Sequence, residues 1–397
     1  MTILCLASYD KGHDFIRECK RQGATVLLVT SLSLQGAHQF PLESIDEIFF
    51  MPDADRTWDR TDLFKSISYI ARHREIDRVV ALDDFDVEVG AALREHLRVP
   101  GMGETTVRYF RDKLAMRIKA KDAGIAVPEF VHVLNHGRIQ RFMDRVPPPW
   151  VLKPRSMAGA IGIKVIHSQE EFWPLIDALG DMQSHYLLEQ FVSGDVFHVD
   201  TIMLDGEPKF AIASGYGSPP MEVAHKGNVF TTRILERDSA TANDLLRLNS
   251  QVLSALGLIR GVSHTEFIVD RNGRTIYFLE TSARVGGAHI AELVEAASGL
   301  NLWAEWARLE LNPDYGVPVP REDYAGLLVS LAKQQHPDTS TYTDPEIVWR
   351  MDDKEHHVGL IVRSPSADRV KTLLASYLDR IKHDFWASLP PQEKPTH

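Results

Sequence analysis

His264-Thr265-Glu266-Phe267-Ile268-Val269-Asp270 runs into Arg271-Asn272-Gly273-Arg274 and returns as Thr275-Ile276-Tyr277-Phe278-Leu279-Glu280-Thr281-Ser282-Ala283-Arg284, closing on Gly286-Gly287. Two apolar arms around an Asn-Gly turn read as a buried β-hairpin. Each arm nevertheless carries a carboxylate, Glu266 and Glu280, and a buried carboxylate is costly unless it is paired or binds metal. Two carboxylates within reach of each other repel, and a divalent cation removes the repulsion. Hard oxygen ligands suit Mg2+. The competing reading is two glutamates at strand ends, each paired with an arginine. Register separates the two. A two-residue loop at Asn272-Gly273 pairs Glu266 with Leu279 and turns Glu280 to the opposite face. An odd-length loop, such as a three-residue turn with a glycine bulge, brings both glutamates to one face together with His264 and Ser282. The metal reading requires the odd register.

Composition bounds what surrounds this hairpin. The chain has 397 residues and a net charge of -11 with histidine neutral, long enough for two to four domains. The acidic balance disfavours nucleic acid and anionic membrane as general partners, since both need basic surface. The two cysteines, Cys5 and Cys19, exclude a disulfide framework and a Cys-rich zinc site. The opening apolar run is short and meets Asp10 and Lys11 at once, so it reads as a strand and not as a signal peptide. No run approaches the ~18 apolar residues of a membrane span, and a cytoplasmic location is the expectation.

In chain order, residues 2–8 form a buried strand, residues after Phe15 a helix ended by Gly23, and residues 24–30 a second buried strand. Strands at 45–50 and 78–82 and helices at 63–73 and 87–96 continue the pattern of a doubly wound parallel sheet. Asp83-Asp84 at the last strand end can face a ligand crevice, but helix capping is the favoured reading. No Gly-x-Gly-x-x-Gly follows the first strand, so a dinucleotide fingerprint is absent. Pro100-Gly101-Met102-Gly103 marks a boundary. A helix at 105–123 holds Asp112-Lys113. The strand Trp150-Val151-Leu152-Lys153-Pro154 leads into a small-residue loop, Arg155-Ser156-Met157-Ala158-Gly159-Ala160-Ile161-Gly162, and a return strand at 163–166. Such a hairpin can close over polyphosphate through backbone N–H groups, though it lacks the Gly-Lys-Ser/Thr of a Walker loop. A helix at 168–179 precedes the strand Tyr186-Leu187-Leu188-Glu189-Gln190-Phe191-Val192. Strands at 196–204, with His198 and Asp200 on one face, and 208–214 follow. A long polar loop at 215–231 carries Glu222, His225 and Lys226, with Arg233 just beyond, and is placed to face a substrate. Helices at 240–257, 288–299 and 300–309 flank the hairpin. A smaller unit has strands near 326–331, 346–351 and 356–362 and a helix at 366–385. His356-His357 are a poor chelate because adjacent strand residues point to opposite faces; one histidine is expected toward the cleft and one toward solvent.

The order of these motifs resembles the ATP-grasp superfamily over nearly the whole chain, and within it the carboxylate-amine ligases of the L-amino-acid (dipeptide) ligase type. The resemblance implies an α/β architecture: a doubly wound pre-ATP-grasp domain at 1–103, a small lid subdomain with the Gly-rich loop at 104–185, a nucleotide- and metal-binding core at 186–315 and a small α+β C-terminal subdomain at 316–397. It also implies roles. Lys113 and Lys153 contact ATP phosphates, and Ser156, Met157, Ala158, Gly159 and Gly162 close over them. Glu189, with the backbone of Gln190, Phe191 and Val192, holds the adenine edge. Glu266 and Glu280 bind Mg2+, with Mn2+ a workable substitute, and Arg284 stabilises an acyl phosphate and its tetrahedral successor. The family's third metal ligand, an asparagine, is Ser282 here. Its ribose-binding glutamate is replaced by Val196, which leaves Asp195, His198 and Asp200 as the ribose candidates. His225, Lys226, Arg233, Gly286 and Gly287 are the candidate substrate contacts.

The implied activity is ATP-dependent ligation of a small-molecule carboxylate to an amine through an acyl phosphate, with a homodimer as the assembly to test. A biotin-type carboxylase is the alternative within the fold. It needs an acid-base glutamate shortly after the arginine, where this chain has Gly286-Gly287-Ala288. A non-catalytic nucleotide-binding module would not need the arginine. A thiol or hydroxyl nucleophile in place of an amine stays open.

Overall fold

The computed structural model describes residues 1–272, 275–352 and 354–388. The chain begins with a four-stranded parallel sheet of Thr2–Ala7, Thr25–Ser31, Glu47–Met51 and Arg78–Ala81, in the order third, second, first, fourth. Its strands are continuous apolar runs because helices cover both faces. Leu4, Leu6, Leu27 and Val29 pack toward Leu63, Ile67 and Leu93. Ile3, Cys5, Val26 and Leu28 point the other way, into a core shared with Leu302–Leu311 and the largest sheet. Phe15 meets Trp306 edge-on at 5.1 Å there.

A second, antiparallel sheet has the order Phe130–His132, Tyr186–Gln190, Trp150–Pro154, Lys164–Ile166. Trp150, Leu152 and Leu188 bury one face under the helices His136–Arg145 and Gln169–Leu179. Alternation turns Lys153 and Glu189 to the opposite face. The strand Tyr186–Gln190 therefore belongs to the small sheet, not to the core expected from residue 186. The helix Lys113–Asp122 departs in the other direction: Met116 and Ala120 join Phe267 and Phe278 in the core of the large sheet. The expected single helix at 105–123 is broken, because Asp112 takes an extended conformation and caps the new helix by accepting from the Leu114 and Ala115 N–H groups.

The large sheet has eight strands, Ile276–Ser282, Gly261–Asp270, Gly194–Leu204, Glu207–Tyr216, Phe230–Ile234, Tyr324–Leu331, His357–Ser364 and Ile347–Arg350, in that spatial order. The C-terminal strands thus extend the central sheet instead of forming a separate one. Phe230–Ile234 would otherwise leave an unpaired edge, and Tyr324–Leu331 covers it in antiparallel register. The loop at 215–231 contains a short helix, Pro220–Lys226, signalled by proline at its first turn and by Gly227 in the left-handed conformation at its end. His356 lies in a turn with φ of 56° and is exposed, while His357 begins the strand and is half-buried. Both cysteines are buried and free. Among the described residues no helix is long and apolar enough to cross a membrane.

The capping reading of Asp83-Asp84 is overturned. The helix Val87–Leu97 starts at Asp86 without a side-chain cap. Asp83 pairs with Lys11, Asp86 accepts from the Ser8 N–H at 2.8 Å, and Asp84 faces Arg284. Burial, then the neighbouring Asp83, pushes the Asp86 carboxyl up to about 7. A carboxyl raised in the folded state contributes stability below its unfolded pKa and loses it as pH rises through the folded value. Asp86→Asn keeps an acceptor for Ser8 and cannot ionise. Its melting temperature should match wild type near pH 4 and exceed it by at least about 2 °C at pH 8; a pH-independent difference in thermal melts would contradict this.

Candidate active site

The opening hairpin brings its two carboxylates together by a route the turn does not supply. Val269 faces Ile276, Ile268 faces Tyr277 and Phe267 faces Phe278, the register that a two-residue loop implies. Beyond that point Glu266 faces Glu280 and His264 faces Ser282. The shift is a bulge at Leu279, in mid-strand, where the sequence reading had placed it in the loop. Gly273 lies outside the described residues. The bulge is stabilised from the helix Lys113–Asp122 and the segment after it: Arg117 Nη1 donates to the displaced Leu279 carbonyl, and the Phe278 N–H reaches the carbonyl of Ala126, beyond the helix end, at 2.9 Å.

Three cations converge on the hairpin. Lys113 Nζ lies 2.7 Å from Glu280 Oε2 and donates to the Met157 carbonyl at 2.6 Å, so one ammonium joins the carboxylate pair to the small-residue loop. Lys153 pairs with Glu189. Arg117, wholly buried, also pairs with Glu189, its Nε donating at 3.1 Å. Burial lowers the Lys153 pKa despite Glu189. Burial alone would raise the carboxyls of Glu189 and Glu280, yet Arg117 and Lys153 hold the first, and Lys113 the second, below the usual range. Glu189 was expected at an adenine edge; its carboxylate is instead enclosed between two cations. The Gln190 and Phe191 N–H groups are taken by the Glu129 and Pro149 carbonyls at 2.7 and 3.1 Å. The Val192 N–H has no partner among the described residues. It sits where the chain crosses from the small sheet to the large one.

Glu266 accepts from the Tyr216 hydroxyl at 2.8 Å and lies 3.7 Å from His264 Nε2. Behind it, Asp200 accepts from both His198 and His264 at 2.7 and 2.9 Å, and His198 Nε2 meets Thr232 Oγ1 at 2.8 Å. Burial lowers His198, whereas Asp200 and Glu266 overcome burial and raise His264 to about 9. Of the two imidazoles on Asp200, His264 is thus the one whose positive charge the surroundings favour. His198 and Asp200 are fully buried, which removes them as ribose contacts. The three groups lie close enough to ligate a metal, but each Nδ1 and both Asp200 oxygens are already bonded to one another. Gly286 belongs to this packing: a Cβ there would lie 3.0 Å from Asp200 and His264, whereas one on Gly287 would meet open space.

Arg284 is held by Asp84, with Nε 2.9 Å from Oδ2, and by the Val285 carbonyl at 2.7 Å. The end of the parallel sheet is thereby tied to the end of the hairpin. Asp84 Oδ1 is buried without a hydrogen-bond partner among the described residues. The loop at 156–162 is anchored by Arg155, which pairs with Asp112, and uses left-handed backbone at Gly159, Ala160 and Gly162. Asp195 is exposed at the start of its strand. His225 and Lys226 fall in the helix Pro220–Lys226, and their side chains lie outside the described residues. Arg233 is on the wrong face: its neighbour Thr232 bonds to His198, so Arg233 points through the sheet to the far side.

Residues 146–292 match the ATP-grasp domain family. The chain is 26% identical over 280 residues to an L-arginine-specific L-amino acid ligase of Bacillus subtilis, covering 69% of this chain and 66% of that protein. It is 24% identical over 273 residues to a D-alanine--D-alanine ligase of Nitrosomonas europaea, covering 67% and 82%. The structure superposes on an L-amino acid ligase of Bacillus licheniformis with a TM-score of 0.74 at 16% identity, covering 98% and 99% of the two chains. The ATP-grasp domain thus holds the Lys153 strand, the small-residue loop and both glutamates, while Lys113 and Asp84 reach it from outside the matched stretch.

Arg117, Tyr216 and Asp84 are the site residues that sequence reading missed as participants. Arg117 had a signal: it stands four residues after Lys113 and so shares its helix face. Tyr216 and the partner of Asp84 are set by strand pairing across distant segments and had none. Arg117→Met should cost about 3–5 kcal/mol, since it strips one cation from a buried carboxylate and a donor from the bulge. Denaturant unfolding would read it, and wild-type stability would show that Lys153 alone satisfies Glu189.

Proposed function

We propose that the protein is an ATP-dependent carboxylate-amine ligase acting on amino acids or a similar small metabolite, with release of ADP and phosphate. The observation that carries this reading is the pairing of Lys113 with Glu280, which lies directly opposite Glu266, with Lys153 acting on the same Glu280 carboxylate and Arg284 at the end of the same hairpin. Glu266 and Glu280 sit directly opposite each other on adjacent strands, and like charges so placed repel. Lys113 relieves one of them. A divalent cation relieves both, and the oxygen donors Glu266, Glu280 and the Ser282 hydroxyl on the same face fit a hard ion. These residues would hold Mg2+, or Mn2+ in its place, which would neutralise charge on the phosphate oxygens.

The remaining groups then have assignable work. Lys113 and Lys153 exchange their carboxylate partners for phosphate oxygens, and the loop at 156–162 supplies backbone N–H groups above them. The free Val192 N–H and the backbone beside it suit the donor-acceptor edge of adenine. A substrate carboxylate oxygen attacks the γ-phosphorus, the bond to ADP breaks, and an acyl phosphate results. The amine nitrogen then attacks the acyl carbon, phosphate leaves with the electrons of its C–O bond, and the amine loses a proton to solvent. Arg284 provides positive charge for the oxyanion of that step. The carboxylase alternative has no acid-base group here, since Gly286 is packed against Asp200 and His264.

Incubation with ATP, Mg2+ and an amino-acid panel, read by phosphate release and product mass, tests the reading. ADP with a new amide is expected; no ADP with any pair would overturn it. Glu280→Ala should lower ATP turnover by about 100-fold or more, roughly 3 kcal/mol, and near-normal turnover would remove the metal assignment. Arg284→Ala should bind nucleotide like wild type in calorimetry yet lose most amide formation; undiminished product would take Arg284 out of the chemistry.

A further inference from the structure

The far face of the large sheet carries a second cavity. Phe197 pairs with Gly215 and Gly215 with Arg233 across three adjacent strands. Two residues along, the Gly217 N–H bonds the Thr231 carbonyl at 2.9 Å. The middle strand thus presents two glycines in succession on this face, between side chains on either side. A Cβ on Gly215 would press on Phe197 and Leu235 at 3.2 and 3.3 Å, and one on Gly217 would strike Thr231 Oγ1 at 2.1 Å. Phe197 and Leu235 thus lean over Gly215, and Thr231 over Gly217, so the trough lies above these side chains. The helix Ala367–Asp384 roofs it with Leu374 and Leu378, and it lies close because Gly326 leaves room for Leu374. The cavity is open to solvent on one side and has a volume of about 290 Å³.

Charge defines what fits. Lys371 at the rim is committed to Glu236 and Asp368. Arg233 has no hydrogen bond or ion pair among the described residues, although Arg117, Arg284 and Arg369 are all paired. On the opposite rim Asp195 is likewise without an ion pair among the described residues. An unpaired guanidinium and an unpaired carboxylate, on the two strands flanking the glycines and two residues out of step, therefore line one cavity with Phe197 and two leucines. We propose that this trough is a non-catalytic binding site for a small zwitterion with an apolar side chain, the chemistry of a free aliphatic amino acid, with its carboxylate on Arg233 and its ammonium on Asp195. The site stands on its own geometry and does not depend on the ligase reading. The Glu266 and Tyr216 side chains bond to each other on the other face of the sheet, although Tyr216 and Thr232 also line this cavity.

The test uses the full chain without ATP. L-leucine, 4-methylpentanoate and 3-methylbutylamine are titrated by calorimetry, and the methyl signals of Leu374 and Leu378 are followed by NMR. Leucine should shift both leucines' methyl signals, and each analogue, lacking one charge, should bind at least tenfold more weakly. Arg233→Met should weaken leucine binding at least tenfold with an unchanged melting temperature. Leu378→Trp, which fills the trough from the roof, should abolish the Leu374 shift should Arg233→Met fold poorly. Leucine that leaves the Leu374 and Leu378 methyls unmoved, equal affinity in Arg233→Met, equal affinity of the singly charged analogues, or no binding would each overturn the proposal.

Discussion

The cross-strand contact between Glu266 and Glu280 is the constraint around which the catalytic half is built. Two carboxylates directly opposite each other on one sheet face are unfavourable, and they sit there only because a bulge at Leu279 shifts the register by one residue. Without that shift Glu280 would point into the apolar core beside Phe267 and Phe278. The bulge in turn leaves a backbone carbonyl out of the ladder, and Arg117 satisfies it from a helix that departs from Asp112. The helix that places Lys113 against Glu280 thus also holds the register that puts Glu280 there.

Electrostatic compensation extends from this contact in three directions. Toward the small sheet, Glu189 is enclosed by Lys153 and Arg117, so the lysine is oriented before any anion arrives. Toward the interior, Asp200 shares a proton with His264 and steadies the imidazole beside Glu266. Toward the parallel sheet, Asp84 fixes Arg284 across 200 residues of sequence. Buried ion pairs of this kind add little net stability. Their use here is geometric, since each orients a group that would otherwise be long and mobile, and three separate sheets are brought to bear on one volume.

Much of this was legible along the chain. Apolar runs joined by short helices gave away the parallel sheet, because both its faces are covered. The lysines, the small-residue loop and the two glutamates stood out as polar groups in apolar strands, which local chemistry alone marks as costly. Errors came where a residue's fate depends on a distant partner. Asp84 looked like a helix cap because Asp residues before a helix usually are, and Arg284 was not visible from it. Arg233 looked like a cleft residue because it follows a polar loop, but the pairing of Thr232 with His198 turns it away. The C-terminal strands looked like a separate unit because nothing local reveals that Phe230–Ile234 offers them an edge.

Local sequence, then, marked most of the strands and helices and which polar residues stand in apolar strands. These follow from periodicity, backbone preference and the cost of burying charge, all of which act within a few residues. Tertiary structure alone decided which face each group occupies and whom it meets. A single inserted residue at Leu279 reverses a strand's faces, and whether it is tolerated depends on Arg117, 162 residues away in the chain.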